Sequence, residues 1–192
     1  MKTKIQIKSI FGDVLFEYET EENTIKKTLE YAVKERVDLR DSDLRVSNLS
    51  GSDLSGSDLS YSNLRGIKAK KIEDLSVQFV NSCSRDMLFV FQHLKEELPF
   101  LRKMLIEGKV DGTQYEGECA CLIGTMANAK QNGDRIIKVC QQIPYYDKGT
   151  HNMGETWFLS IHKGDTPENS IFAKHAVDLI DEVMKDEPNK TS

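Results

Sequence analysis

The sequence predicts a mixed α/β protein in two parts. Residues 1–76 are expected to form a β-hairpin and a helix that cap a short solenoid, and residues 77–192 an α+β domain. Three patterns support this division: apolar–polar alternation around Gly12, a leucine at every fifth position across 37–66, and mixed helix-like and strand-like periodicity after residue 77.

Composition is typical of a folded globular protein. Of the 192 residues, 39% are hydrophobic and 30% charged, and the net charge is −5. A general nucleic-acid binder normally carries a basic excess, so direct nucleic-acid binding is not expected. No apolar run approaches the ~18 residues that span a bilayer, and the first residues lack a signal-peptide core, which predicts a cytoplasmic protein without a membrane partner. Reduced thiols are therefore expected at the four cysteines, Cys83, Cys119, Cys121 and Cys140.

The first element is a predicted β-hairpin over residues 4–20 that turns at Gly12 and Asp13. Its expected buried face consists of Ile5, Ile7, Val14, Phe16 and Tyr18.

A helix is predicted next, over residues 24–36, with Asn23 as its N-cap. Its apolar residues follow helical spacing and form one stripe. They are Ile25, Leu29, Ala32 and Val33.

The pentads follow at once, and neither a helix nor a strand can keep their leucines on one side. The leucines are Leu39, Leu44, Leu49, Leu54, Leu59 and Leu64. Two residues before them stand Val37, Ser42, Ser47, Ser52, Ser57 and Ser62, and directly before them Asp38, Asp43, Asn48, Asp53, Asp58 and Asn63. A fixed short repeat predicts a solenoid in which each unit packs only against its neighbours.

This segment resembles the pentapeptide-repeat family, with serine in place of the family's usual alanine. The resemblance implies a right-handed quadrilateral β-helix with one pentad per side and four per coil. Leucine and the small residue would point inward, and the Asp or Asn outward. Residues 67–76 could extend it, although Ala69 and Asp74 are poor substitutes for core leucines. Six pentads make one and a half coils, so the preceding hairpin and helix are expected to serve as the cap.

The order hairpin, helix, pentads is also similar to small proteins encoded by phages and prophages. That resemblance implies a non-enzymatic accessory protein that binds a host protein or protein complex. Inhibition of a nucleic-acid-handling or defence factor would be one form of this function.

Helices and strands alternate in the prediction for residues 77–192. A helical seam with a break near Glu97, caused by Pro99, and a stop at Gly108 are expected. The seam contains Met87, Phe91, Leu94, Leu98, Leu101 and Leu105. A helix is predicted over 118–130, and strands over 134–142 and 155–163, the second of these with Trp157, Leu159 and Ile161 on one face.

The last predicted helix is capped by Thr166 and begins at Pro167. Its expected lining is Ile171, Phe172, His175, Leu179, Ile180, Val183 and Met184.

The first candidate site is an acidic ladder on the pentads, formed by Asp38, Asp43, Asp53 and Asp58. Coils spaced at ~4.8 Å would give one and a half coils a height of roughly 7 Å. Duplex DNA carries a charge per ~1.7 Å, so the ladder could replace about four phosphates. The ladder is thus too short to imitate a long duplex alone, and the simpler interpretation is that these are ordinary outward-facing residues of the repeat.

The turn-rich loop at 144–155 is the second candidate binding surface, with Tyr145, Tyr146, His151 and Asn152 as its recognition residues. The alternative is a solvent loop whose aromatic residues pack inward.

An enzyme is the competing hypothesis, with Cys119 or Cys121 as nucleophile and His151 or His162 as base. Structural packing is the simpler interpretation of Cys119, which lies on the apolar stripe of its predicted helix. The Cys-x-Cys spacing disfavours a zinc site, and the absence of the common nucleotide-binding motifs predicts no cofactor. A domain that sequesters a small nucleotide-like ligand is a third alternative, and self-association is compatible with each of them.

Overall fold

The computed structural model describes residues 1–54, 56–59, 62–64, 67–112, 122, 125, 126 and 153–185. The chain divides into two compact units, Met1–Ser82 and Cys83–Ser192. Among the described residues, no helix is long and apolar enough to cross a membrane.

The first unit opens with the predicted hairpin. Strands β1 (Lys2–Lys8) and β2 (Val14–Glu21) are antiparallel, with Ile5 opposite Tyr18 and Ile7 opposite Phe16. The prediction that Val14 is buried was wrong, since its exposed fraction is 50%. A register shift after Ile7 places Val14 opposite Lys8 instead, and a one-residue shift moves a side chain to the other face of a sheet.

Helix α1 (Ile25–Lys34) confirms the amphipathic helix, although its N-cap is Thr24 and not Asn23. The Thr24 side chain accepts a hydrogen bond from the N–H of Lys27 at 3.2 Å. Asn23 instead ties the hairpin to the helix, because its side-chain amide donates to the carbonyls of Thr3 and Tyr18 while its oxygen accepts from the Thr28 hydroxyl. Either residue type can cap a helix, so composition alone did not decide between neighbours.

All six pentad leucines are buried, none of them more than 1% exposed. Most of the small-residue positions are buried with them, at Ser42, Ser52, Ser57 and Ser62. The same turn repeats along the pentads. In each case the backbone N–H of the small residue donates to the carbonyl of the leucine three residues earlier, from Ser42 to Leu39 at 3.3 Å through Ser62 to Leu59 at 3.2 Å. The prediction that the leucines and most of the small residues point inward is therefore confirmed.

Pentads that lie twenty residues apart pair with each other. Parallel bridges join Asp43 to Asn63 and Asn48 to Lys68. These are isolated bridges, and within the described part of 37–68 the structure contains no longer strand, so the short quadrilateral β-helix that the family resemblance implies is not observed as a solenoid. The short length of the repeat explains this, because only the last third of its 30 residues has a pairing partner twenty residues earlier in the repeat.

Left-handed backbone conformation recurs with the same five-residue period. Positive φ angles occur at Arg36, Asp41, Val46, Gly51 and Gly56, between 56° and 81°. Glycine adopts this region without steric cost, whereas a β-branched side chain does not. Val46, at φ 56° and 73% exposed, is therefore the strained member of the series.

Replacing Val46 with glycine should stabilise the first unit by about 0.5–1 kcal/mol, because release of left-handed strain exceeds the entropy gained by the unfolded chain. Urea unfolding followed by circular dichroism measures the change. Val46→Ala is the control, since it shortens the same exposed side chain but keeps a Cβ in the left-handed region, so it should relieve less of the strain than glycine does. An equal gain for alanine would contradict the argument that only glycine fits this backbone conformation.

Helices dominate the described residues of the second unit. Helix α2 (Val77–His93) begins in the first unit and ends in the second, and it is followed by α3 (Leu98–Ile106), α4 (Met153–Phe158) and α5 (Ile171–Lys185). All six predicted seam residues from Met87 to Leu105 are fully buried. The break before Pro99 and the stop at Gly108, whose φ is +62°, are confirmed.

The predicted strand at 155–163 was wrong, because Met153–Phe158 is helical. Every residue from Thr156 to Ile161 is buried, so the apparent alternation of Trp157, Leu159 and Ile161 reflected a segment enclosed on all sides. A short, fully buried run has no periodicity that separates helix from strand. Asp86 supports the start of α4, since its carboxylate accepts the N–H of Met153 at 3.3 Å.

The last helix begins at Ile171, four residues after the predicted start at Pro167. Thr166 and Asn169 close a turn instead, with the Thr166 N–H bonded to the Asn169 side-chain oxygen at 2.8 Å. Met184 was wrongly placed in the lining and is 40% exposed, whereas Ala173, Ala176 and Val177 are buried on that face. The predicted strand at 134–142 lies outside the described residues, as does most of the helix at 118–130; Leu122, Thr125 and Met126 of that helix are helical and buried.

Candidate functional site

The outward side of the pentads carries acidic side chains that are held in place by their own pentad. The Asp38 carboxylate accepts the backbone N–H of Arg40 at 3.1 Å and the Arg40 Nε at 2.9 Å. Asp43 does the same with Arg45, at 3.4 Å from the backbone N–H and 2.8 Å from Nε. Each aspartate therefore fixes a pentad corner and an arginine two residues later.

Asparagine fills the same structural role without a charge. The Asn48 side-chain oxygen accepts the backbone N–H of Ser50 at 3.1 Å. Asp and Asn commonly bond the backbone two residues later in such turns. The acidic positions thus have a local structural function whether or not they contact a partner.

Electrostatics at these corners are mixed in sign. The hydrogen bonds from Arg40 lower the pKa of Asp38 to about 2, and Arg45 lowers the pKa of Asp43 in the same way. The pKa of Arg40 is raised, first by Asp38 and more weakly by Asp58, which places the Asp58 charge near the Asp38–Arg40 pair. The negative field of the predicted ladder is partly cancelled at two of its four aspartates.

The four aspartates are also distributed differently from a straight row. Asp43 lies beside Asn63 in the twenty-residue pairing, so an uncharged residue is its neighbour. Asp53 and Asp58 are exposed, and the Asp53 N–H donates to the Glu30 carboxylate of α1 at 3.1 Å. The aspartates therefore do not form an uninterrupted acidic row, since Arg40 and Arg45 pair with two of them.

Asp74 is a buried residue whose role sequence reasoning missed. It stands in the leucine phase and is 6% exposed, yet its Oδ2 accepts three backbone N–H groups, from Gly51 at 2.9 Å, Lys70 at 3.0 Å and Lys71 at 3.1 Å. Burial alone would raise its pKa, but these three bonds outweigh burial and lower the pKa. A carboxylate at a core position of a repeat was the available signal that the repeat ends there.

Most residues of the enzyme hypothesis lie outside the described part of the chain. Cys119, Cys121 and His151 lie outside the described residues, as do Tyr145, Tyr146 and Asn152 of the candidate loop. His162 is described and exposed; its backbone N–H donates to Asp165 at 2.9 Å, and its ring Nδ1 lies 3.8 Å from the same carboxylate. Within the described part of the chain, no group of three or more His, Cys, Asp or Glu residues could hold a metal ion.

A serine–histidine contact that spacing did not predict joins α2 to α5. The Ser84 hydroxyl lies 2.7 Å from His175 Nε2, and the imidazole packs against Trp157 with ring centroids 4.8 Å apart. Burial lowers the pKa of His175, so its neutral form is favoured. The contact links two helices of the second unit through one neutral hydrogen bond.

Stability of the second unit should fall in mild acid through His175. Its folded-state pKa lies below the ordinary 6.5, so the unfolded state binds the proton more tightly. The contribution is fully present above about 6.5 and is lost as pH falls toward the folded-state pKa. Trp157 fluorescence during urea unfolding reports it, and His175→Gln should flatten this part of the pH profile; an unchanged profile would exclude His175 as the cause.

Comparison with known proteins identifies the repetitive segment. Residues 35–68 match the family model for pentapeptide repeats in 8 copies, so this segment of the chain consists of pentapeptide repeats. Proteins of this family are generally non-enzymatic binding proteins. No curated protein and no solved structure matches the chain.

Proposed function

We propose that this is a non-enzymatic protein-binding protein whose repeat, folded as a short quadrilateral β-helix, presents fixed charges to a partner protein. The pre-set Asp–Arg corners carry the proposal. Asp38 and Asp43 each hold an arginine through at least one bond of 2.9 Å or less, so the charged groups lose little freedom on binding.

The twenty-residue pairing supports the β-helix form, because four pentads per circuit require that residues twenty apart become neighbours. Asp58 influences Arg40 across the same interval from Asp38. The surface is then a compact platform with alternating sign, suited to a partner that offers both charges.

The finer form of the proposal is a phage or prophage accessory protein that acts in the cytoplasm on a host nucleic-acid-handling or defence factor. It rests on the resemblance of the hairpin–helix–pentad order to such proteins. Imitation of a long duplex is not part of the proposal, since Arg40 and Arg45 interrupt the negative field.

Asparagine substitution separates charge from structure in the test. A variant with Asp38, Asp43, Asp53 and Asp58 all changed to Asn keeps an acceptor at every corner, as Asn48 already does, and removes four charges. The tagged protein should capture a host protein from lysate, and the variant should lose it at least tenfold. A companion variant, Arg40→Gln with Arg45→Gln, removes the positive charges instead and should also weaken capture, because the proposed partner offers both charges. Undiminished capture by the four-Asn variant would contradict a role for these aspartates.

A further inference from the structure

The hairpin presents an open strand edge whose backbone direction the structure fixes. The carbonyl of Lys8 points away from β2 and accepts the N–H of Asp43 at 2.8 Å. The N–H of the next residue, Ser9, points back into the hairpin and donates to the carbonyl of Asp13 at 2.7 Å. The backbone N–H and C=O groups of successive residues point alternately toward one edge of a strand and the other. In an antiparallel pair, the groups of two residues that lie opposite each other both point toward the partner strand or both point away from it. Lys4 and its partner Glu19 therefore direct their backbone groups outward.

The outer edge of β1 is partly occupied, and that of β2 is not paired within the described residues. The start of the pentads bonds to Lys8 at the end of β1 and to Ile10 just beyond it. The sheet contains only β1 and β2 among the described residues. The backbone groups of Glu17, Glu19 and Glu21 thus form an edge to which an extended segment can add.

The two faces of β2 differ sharply in chemistry along this edge. Glu17, Glu19 and Glu21 are exposed on one face, while Phe16, Tyr18 and Thr20 are half-buried on the other. Glu17 already pairs with Lys4 of β1 at 2.9 Å, which shows that a lysine on a neighbouring strand fits beside these glutamates. A strand on the outer side would place every second side chain beside the same acidic row.

The apolar face of β2 opens into a groove of about 370 Å³ against α1. Its lining is Tyr18, Thr20, Lys27, Glu30, Tyr31 and Lys34. Tyr18 and Tyr31 stack with ring centroids 4.2 Å apart and planes at 11°, so two stacked aromatic rings form part of the groove's lining. Aromatic and β-branched side chains are the residues that pack best beside such rings in a sheet.

We propose that the outer edge of β2 and this groove bind an extended segment of a partner protein in which lysine or arginine alternates with aromatic or β-branched residues. The basic residues lie beside Glu17, Glu19 and Glu21, the apolar ones enter the groove, and backbone hydrogen bonds extend the sheet by one strand. This surface is distinct from the charged corners of the pentads, so an experiment can disprove one of the two binding proposals without affecting the other.

A synthetic heptapeptide tests the proposal directly. A blocked, fluorescently labelled peptide that alternates lysine with isoleucine and tyrosine should bind the full chain by anisotropy, and a peptide with glutamate in place of lysine should bind at least tenfold more weakly. Glu19→Pro removes the outward N–H and should weaken binding at least tenfold while the circular dichroism spectrum is retained, since proline is tolerated where no ladder bond is lost. Glu19→Ala is the matched control and keeps that N–H.

Charge exchange supplies a second measurement that does not depend on proline. Glu19→Lys with Glu21→Lys should reverse the preference, so that the glutamate peptide binds more tightly than the lysine peptide. Equal binding by the wild type and Glu19→Pro would overturn the proposal, as would binding of neither peptide, which would mean that the glutamates only protect the edge. Concentration-dependent self-association in sedimentation, abolished by Glu19→Pro, would also overturn it and assign the edge to a second copy of the chain.

Discussion

Leu49→Ala is expected to lower the free energy of unfolding of the first unit by about 3–5 kcal/mol. Leu49 is 0% exposed, and its backbone N–H is fixed to the Lys68 carbonyl at 2.7 Å. A position held by both packing and pairing cannot collapse to fill the cavity, which favours the upper part of the range for leucine truncation. Urea unfolding by circular dichroism measures the loss, and amide exchange across 39–64 localises it.

An exposed apolar residue of the same repeat provides the control. Val46→Ala removes a side chain that is 73% exposed and should change stability by less than about 0.5 kcal/mol. If Leu49→Ala costs less than about 1 kcal/mol, the leucines do not form a close-packed core.

Asp74→Ala should destabilise the same unit by about 1–3 kcal/mol, because it leaves three partly buried hydrogen-bond donors, the N–H groups of Gly51, Lys70 and Lys71, without their acceptor. Asp74→Asn retains an oxygen at that place and should cost less than the alanine variant. Equal losses for the two variants would show that the oxygen is not the important feature.

Acid titration gives the same carboxylate an independent signature. The pKa of Asp74 is lowered from its ordinary 3.8, so its contribution is fully present above that pH and is lost as pH falls through the folded-state pKa. The wild type should therefore lose stability in this acid range relative to Asp74→Asn. Parallel pH profiles for the two proteins would contradict the assignment.

Periodic patterns predicted the fold where one face of an element is buried. The leucines of the pentads, the hairpin and the seam from Met87 to Leu105 were all visible as regular spacing. Prediction failed where the spacing of apolar residues does not reveal the strand register or does not separate a helix from a strand. Val14 follows a register shift, and Trp157 lies in a run that is buried on every side.

The sequence predicted where the residues of the candidate site lie better than it predicted which residues they contact. The outward aspartates follow from the repeat, and the Asp-Leu-Arg order at residues 38–40 and 43–45 already contains the ion pairs found there. Ser84 and His175 are 91 residues apart in sequence, so only the fold brings them together. The loop and cysteine hypotheses lie outside the described residues and stay predictions.

The Asp74–Gly51 hydrogen bond sets a rule for how this repeat can change length during evolution. Duplicating one pentad between these residues would move Asp74 one pentad onward, away from the Gly51 N–H that it accepts. Duplicating four pentads that include Gly51 would place Asp74 beside the copy of Gly51 instead, because pairing recurs at twenty residues. Viable descendants should therefore differ from this chain in whole steps of about twenty residues, and single-pentad insertions should be purged although each one preserves the sequence pattern.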